Sequence, residues 1–82
     1  MIRIWGDLNV RDSEGRVLLS RAEDMKAMDA ELQVGLRVVI WMEDVEAEGT
    51  LEYEDGAWRA RIAWDTLKDR ETGRRLDVRR SP

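Results

Sequence analysis

One tight turn near the middle of the chain determines how the strands on either side of it pair. Asp55-Gly56 suits a two-residue hairpin turn, in which both central residues take positive φ and Gly does so freely. Counting back from this turn predicts the pairs Glu54–Ala57, Tyr53–Trp58, Glu52–Arg59, Leu51–Ala60, Thr50–Arg61 and Gly49–Ile62. Apolar residues then face apolar residues and acids face bases. A slip of one residue would move every side chain to the other face, so the register is well specified.

The same alternation extends backwards to a third strand. A short turn near Glu43-Asp44 gives the two strands a common inward face, made of Leu36, Val38, Ile40 and Met42 with Val45, Ala47, Leu51 and Tyr53. Glu-Asp is a poor sequence for a tight primed turn, so we expect a slightly longer loop there. The stretch from Gly35 to Trp64 therefore reads as three consecutive antiparallel strands.

The N-terminal third is predicted to add two pieces to this sheet. Met1 to Trp5 indicates a short edge or closing strand with Ile2 and Ile4 inward. The turn sequence 12–15 is flanked by alternating apolar residues and predicts a second hairpin, or alternatively a long irregular excursion. Those flanking residues are Leu8, Val10, Val17 and Leu19.

A helix is predicted between these pieces and the central strands. Ser20 and Glu23 fit a capping box, and Met25, Met28 and Leu32 follow at helical spacing. With Gly35 as its C-terminal cap, this helix would run from about Arg21 to Val34. After Trp64 we expect a tight turn at 65–67, another at 71–74, and a possible final strand through Leu76 and Val78.

Composition limits the classes of function. Eighty-two residues make one small domain, and the net charge of −4 is unfavourable for phosphate-driven binding to nucleic acid. The chain has no Cys and no His, which excludes disulfides and thiolate metal clusters and removes the commonest general base. No apolar run approaches a membrane span, and the N-terminus lacks the features of a signal peptide. We expect a cytoplasmic protein without cofactor, metal or membrane partner.

The shape of the central stretch resembles the small SH3-like barrels, including Tudor-type modules. The features that carry this resemblance are Gly35 before the first long strand, Gly49 in mid-strand, the aromatic pair across the tight hairpin and the short turn after Trp64. The opening Gly6-Asp7-x-Asn9-x-Arg11-Asp12-x-x-Gly15-Arg16-Val17 is similar to the start of a group of short uncharacterised bacterial proteins. The expected fold is thus α+β, mainly β: a strongly bent, SH3-like antiparallel sheet or barrel of about five strands with one inserted helix. Such a scaffold implies a binding module and supplies no reaction.

Trp41 is the leading candidate for a binding residue. On the predicted register it lies on the outward face with Glu46 and Glu48, where an exposed Trp among charges is typical of an anchor for a partner protein or a second copy. Trp5 is a possible second anchor. The alternative is that the helix, or the N-terminal hairpin with Trp5, covers Trp41 and forms a second small core.

Three other groups of residues have a simpler structural interpretation beside the functional one. Tyr53, Trp58 and Trp64 could form a cage for a methylated ammonium, but their inward parity favours core packing. Four residues with carboxylate or amide side chains resemble part of a calcium loop, but they have the wrong spacing and suit turns: Asp7, Asn9, Asp12 and Glu14. The acidic centre of the chain, which could attract a basic partner, is better read as a solvated sheet face: Glu43, Asp44, Glu46, Glu48, Glu52, Glu54 and Asp55.

The conclusion from sequence is a non-enzymatic interaction module that binds a protein or itself, with a homodimer as one form it could take, through Trp5, Trp41, Glu46 and Glu48. One rival is a nucleic-acid or ribosome-associated barrel using the basic tail Arg74, Arg75, Arg79 and Arg80, although nucleic acid is the less favoured partner. The other is a small metal-dependent enzyme. No Ser has a His to activate it, no carboxylate pair stands out, and so small a chain is expected to have little room for a pocket of about 300 Å³.

Overall fold

A computed structural model describes residues 2–19 and 32–76 of the chain. These residues form a mostly β structure built on one sheet. Its strands are β1 (Arg3–Trp5), β2 (Arg16–Leu18), β3 (Arg37–Met42), β4 (Val45–Glu54), β5 (Ala57–Ile62) and β6 (Lys68–Asp69), with a 3-10 helix at Trp64–Thr66.

The sheet is open and mixed. Its order is β1-β3-β4-β5-β2, and β6 also pairs with β4. β1 runs parallel to β3, so the prediction of a purely antiparallel sheet is wrong at this edge. The long β4 has β3 along one side, and along the other it pairs first with β6 and then with β5. β4 thus joins β3 on one side to both β5 and β6 on the other.

The central register is as predicted. All six pairs between β4 and β5 are present, and the Asp55-Gly56 turn has φ of 54° and 75°. The β3–β4 turn differs from the prediction, because it has two residues and not a longer loop, with φ of 50° at Glu43. Its carbonyls accept from Arg70: the guanidinium Nη1 donates to Glu43 at 3.0 Å and the backbone N–H to Asp44 at 2.6 Å. These bonds from a later segment stabilise a turn whose own sequence is poorly suited to it.

The N-terminal segment forms a strand and then an irregular loop. β1 is an edge strand with Ile4 inward and 1% exposed, as predicted. The second hairpin is not formed, since β2 pairs with β5 and residues 8–10 join no strand. The irregular excursion is the correct alternative. It closes locally through Asp12, whose backbone N–H donates to Arg16 O at 2.9 Å and whose carbonyl accepts from Gly15 at 3.0 Å.

Most of the predicted helix, residues 21–31, lies outside the described residues, as does its predicted cap Ser20. Its predicted end is not helical, because 32 and 33 are irregular and 34–35 form a turn. Leu32 is nevertheless buried, and Gly35 has a φ of 92°. The predicted last strand, through Leu76 and Val78, is only partly described. Its described part forms a single bridge, from Arg75 to Lys68, and Val78 lies outside the described residues. β6 was not predicted. None of the helices in the described ranges is long and apolar enough to cross a membrane.

The core lies on the inward face of the sheet. Its most buried side chains are Ile4, Val17, Val38, Ile40 and Leu51, each at most 1% exposed. Tyr53 has the same parity but is 53% exposed, so its predicted core position is wrong. It lies near the end of β4, beyond the last fully buried residue of that strand.

Candidate functional site

One row of outward side chains crosses the sheet from β1 to the segment after β6. Each residue is the Cα partner of the next, so all five side chains share one face: Trp5, Trp41, Glu46, Lys68 and Arg75. We call this row, together with Arg3 and Arg70, the Trp41 face. It unites the predicted anchors Trp5 and Trp41 with one Arg of the predicted basic tail.

Trp41 is half-buried and carries a cation on its ring. The guanidinium carbon of Arg70 lies 5.3 Å from the ring centroid, within the range of a cation–π contact. Trp5 is also half-buried and lies directly beside it in the parallel β1–β3 pair. The helix that could have covered Trp41 lies outside the described residues.

Glu46 is surrounded by three cations. Its carboxylate lies 2.8 Å from Arg3, 3.6 Å from Arg70 and 4.0 Å from Lys68, and the side chain is 14% exposed. The hydrogen bond from Arg3 is the main reason that the pKa of Glu46 lies below its ordinary value. One carboxylate neutralises one of these three cations, so the cluster retains positive charge.

A cleft of about 380 Å³ adjoins this cluster. Val39, Glu46 and Glu48 line it from the sheet, and Thr66, Lys68 and Arg75 from the 3-10 helix and the segments after it. Glu48 pairs with Arg37 at 3.2 Å. Its backbone N–H donates to Thr66 Oγ1 at 2.8 Å, which fixes the 3-10 helix against β4. Arg75 has no ion pair within the described part of the chain.

The predicted basic tail is only partly described. Arg74 and Arg75 are exposed, and Arg75 enters the Trp41 face through its bridge to Lys68. Arg79 and Arg80 lie outside the described residues.

A second cleft, of about 320 Å³, lies under the N-terminal loop. Six of its lining residues are apolar: Leu8, Met42, Val45, Trp64, Leu67 and Leu76. The other two are Asn9 and Arg11. The expectation that so small a chain has little room for a pocket of about 300 Å³ is therefore wrong, because the irregular loop, the β3–β4 hairpin and the segment from the 3-10 helix to Leu76 together line a cleft of this size.

Four of the other acidic residues pair with one buried Arg. Arg16 is 8% exposed and is held by four carboxylates: Asp12 at 2.8 Å, Glu14 at 3.1 Å, Glu54 at 3.2 Å and Glu52 at 3.3 Å. Hydrogen bonding to Glu54 is the main reason that the pKa of Arg16 is raised.

Two of these carboxyl groups have pKa values below their ordinary ones. For Asp12 the main cause is the backbone N–H of Arg16, and for Glu52 it is the side chain of Arg61. In the loop, the Asp7 carboxylate accepts the backbone N–H of Asn9 at 3.0 Å, as expected of a turn residue. Residues 2–19 and 32–76 contain no group of three or more potential ligands arranged to hold a metal ion.

The three aromatic residues considered for a cage have different neighbours. Tyr53 and Trp58 form an edge-to-face pair at 5.1 Å, and Trp58 packs against the core. Trp64 packs against another part of the core, where its Nε1 donates to Gly15 O at 3.2 Å.

Sequence reasoning named Arg75 but missed the other three cations of the Trp41 face, which are Arg3, Lys68 and Arg70. The alternation of side chains in β1 could have located Arg3, because a residue between the inward Ile2 and Ile4 lies on the outward face, as Trp5 does. No local pattern located Lys68 or Arg70, because β6 is two residues long and its pairing with β4 depends on the tertiary structure.

Comparisons of this chain with family models, with curated proteins and with solved structures found no match.

Proposed function

We propose that this chain is a non-enzymatic, cytoplasmic interaction module that binds an acidic segment of a partner protein on the Trp41 face. The observation that carries the proposal is the row itself, in which Trp5 and Trp41 lie side by side. Next to them, the cations outnumber the carboxylates that could neutralise them. Trp41 supplies a half-buried aromatic surface, a type of residue that often dominates the binding energy of interfaces.

The charge balance supports an acidic partner in preference to a basic one. The sequence predicted that Glu46 and Glu48 would supply negative charge to a basic partner. Each of these carboxylates, however, pairs with an Arg of the same chain. Five cations surround these two carboxylates: Arg3, Arg37, Lys68, Arg70 and Arg75. A partner carboxylate in the cleft would meet Lys68 and Arg75, and an apolar neighbour would contact Val39. Trp41 lies outside the cleft, opposite its lining residue Glu46, where a further apolar side chain of the partner would contact it.

A protein segment is favoured over nucleic acid because the positive charge is compact. The rest of the surface carries the excess of acid that gives the whole chain its net charge of −4. An extended phosphate backbone would meet that acid beyond a few nucleotides, whereas a short peptide would not.

The proposed scaffold is an SH3-like barrel with one inserted helix. Support comes from β4, which has β6 beside its first two residues and β5 beside its last six on the same edge. Such a strand is expected to bend between its two partners.

The test is selection of a random peptide library displayed on phage against the immobilised protein. Peptides that bind the wild type but not Trp41→Ala, Lys68→Gln or Arg75→Gln would support the proposal. Arg59→Gln is the matched control, because it removes a cation outside the face, whose Nη1 donates to Glu54 O. Lys68 and Arg75 are exposed, so their substitution tests binding with little effect on folding.

Three results would overturn the proposal. They are no enrichment of peptides, equal retention by the wild type and the face variants, or salt-sensitive retention of single-stranded RNA with no peptide binding. The last result would favour the nucleic-acid rival. Light scattering tests self-association. If the wild type dimerises with increasing concentration, Trp41→Ala does not, and no peptide is enriched, the face would be assigned to self-association.

A further inference from the structure

The cleft of about 320 Å³ has a different chemical character from the Trp41 face. Its lining is apolar except for Asn9 and Arg11, and among the described residues that line it there is no carboxylate. Leu8 and Leu67 are each 8% exposed, whereas Leu76 is 37% exposed. A cleft lined mostly by apolar side chains, with a small number of polar groups that can fix a ligand's orientation, is the usual form of a small-molecule site.

Arg11 is the one charged residue among the described residues that line this cleft. Its guanidinium carbon lies 4.6 Å from the centroid of the Trp64 ring. The indole is itself fixed, because its Nε1 donates to Gly15 O. The cation is therefore held over a rigid surface before any ligand arrives.

Arg11 has no acidic partner in the described ranges, although acidic residues are close in sequence. The neighbouring carboxylates of Asp12 and Glu14 pair with Arg16 instead. The Arg11 guanidinium donates no hydrogen bond to another described residue, so its N–H donors remain able to bind a carboxylate through two parallel hydrogen bonds.

We propose that this cleft binds a small organic acid, in which an apolar body fills the cavity and a carboxylate pairs with Arg11. Met42, Val45 and Leu67 would contact the apolar body, and Asn9 offers an additional polar group at the edge. The side-chain Nδ2 of Asn9 makes a weak contact with the Met42 sulfur, at 3.8 Å. This site is separate from the proposed peptide site, because Met42 and Val45 face inward and Trp41 and Glu46 outward on the same hairpin.

The experiment is a titration of the full chain, labelled with ¹⁵N, with octanoate below its micellar concentration and, in parallel, with 1-octanol. Amide and indole shifts are followed by NMR. We expect saturable octanoate shifts at Leu8, Leu67 and the Trp64 indole. Octanol, which lacks the charge, should bind at least about tenfold more weakly.

The decisive variant is Arg11→Gln, which should weaken octanoate to the level of octanol. Arg11 is exposed and contacts the Trp64 ring, so the variant is expected to fold. Arg74→Gln, which removes an exposed cation outside the lining, should leave the affinity unchanged. Equal octanoate affinity in Arg11→Gln and the wild type would overturn the proposal. So would shifts spread over exposed apolar residues such as Val10 and Leu18, since that pattern indicates non-specific adsorption.

Discussion

Replacing Gly15 by Ala should destabilise the fold through two separable effects. The first is the backbone, because φ at Gly15 is 76°, in the left-handed region. The second is a collision, because a Cβ at this position would lie 2.9 Å from Trp64 Nε1. Gly56 is the matched control, since its φ is 75° and a Cβ there would meet nothing within 4 Å.

The two variants should therefore differ by the cost of displacing the indole. A left-handed conformation at Ala costs roughly 1–2 kcal/mol, and this applies to both. In Gly15→Ala the indole must also move, which removes its 3.2 Å hydrogen bond to Gly15 O and costs about 1 kcal/mol more. We expect a loss of about 2–3 kcal/mol for Gly15→Ala and about 1–2 kcal/mol for Gly56→Ala. A difference of about 1 kcal/mol corresponds to roughly 4–8 °C in Tm for a domain of this size.

Urea denaturation of both variants, repeated in a Trp64→Phe background, measures the two effects separately. Phe has no N–H to lose and is smaller, so the additional cost of Gly15→Ala over Gly56→Ala should disappear in that background. Equal costs for the two substitutions in the protein that retains Trp64 would contradict this explanation. An excess that persists in the Trp64→Phe background would show that the indole contact is not its cause.

Three further predictions concern the core, a side-chain bridge and acid. Leu51→Ala removes a side chain that is 0% exposed and should lower the free energy of unfolding by about 2–5 kcal/mol; a smaller loss in urea denaturation would contradict its central place in the core. Thr66→Val removes a hydroxyl that accepts from the Glu48 N–H and donates to Ala63 O. It should lower the free energy of unfolding by about 1–3 kcal/mol, seen as a fall in the urea midpoint. An unchanged midpoint would refute the bridging role. The urea midpoint should also fall as the pH drops below about 4, because carboxyl groups with a lowered folded-state pKa lose their stabilising effect when they are protonated. Those groups are Asp12, Glu46 and Glu52, and a midpoint independent of pH between about 5 and 3 would contradict this.

The central strands could be predicted because their signals are local. The Asp55-Gly56 turn and the alternation of apolar residues specified every pair between β4 and β5, and they placed Trp41 and Glu46 on the outward face. A turn that needs positive φ, followed by a period of two, leaves one register that buries the apolar side chains.

The second hairpin shows where such local reasoning fails. The residues around Asp12 contain an adequate turn sequence, and a turn does form there. Its flanking residues do not pair, because Val17 in β2 is buried against Ala60 of β5. Alternation indicates that a segment can be a strand, but it does not indicate which strand will be its partner.

Local patterns in the chain were enough to establish the β-rich class, the register of the three central strands and the outward position of Trp41. They did not reveal that β1 runs parallel beside β3, or that β6 returns to β4 and so brings Lys68 and Arg70 to Glu46. The difference lies in the range of the interactions. Turn geometry and side-chain alternation act between neighbours in sequence, whereas the charge of the Trp41 face and the guanidinium beside the apolar cleft depend on segments brought together by the common core.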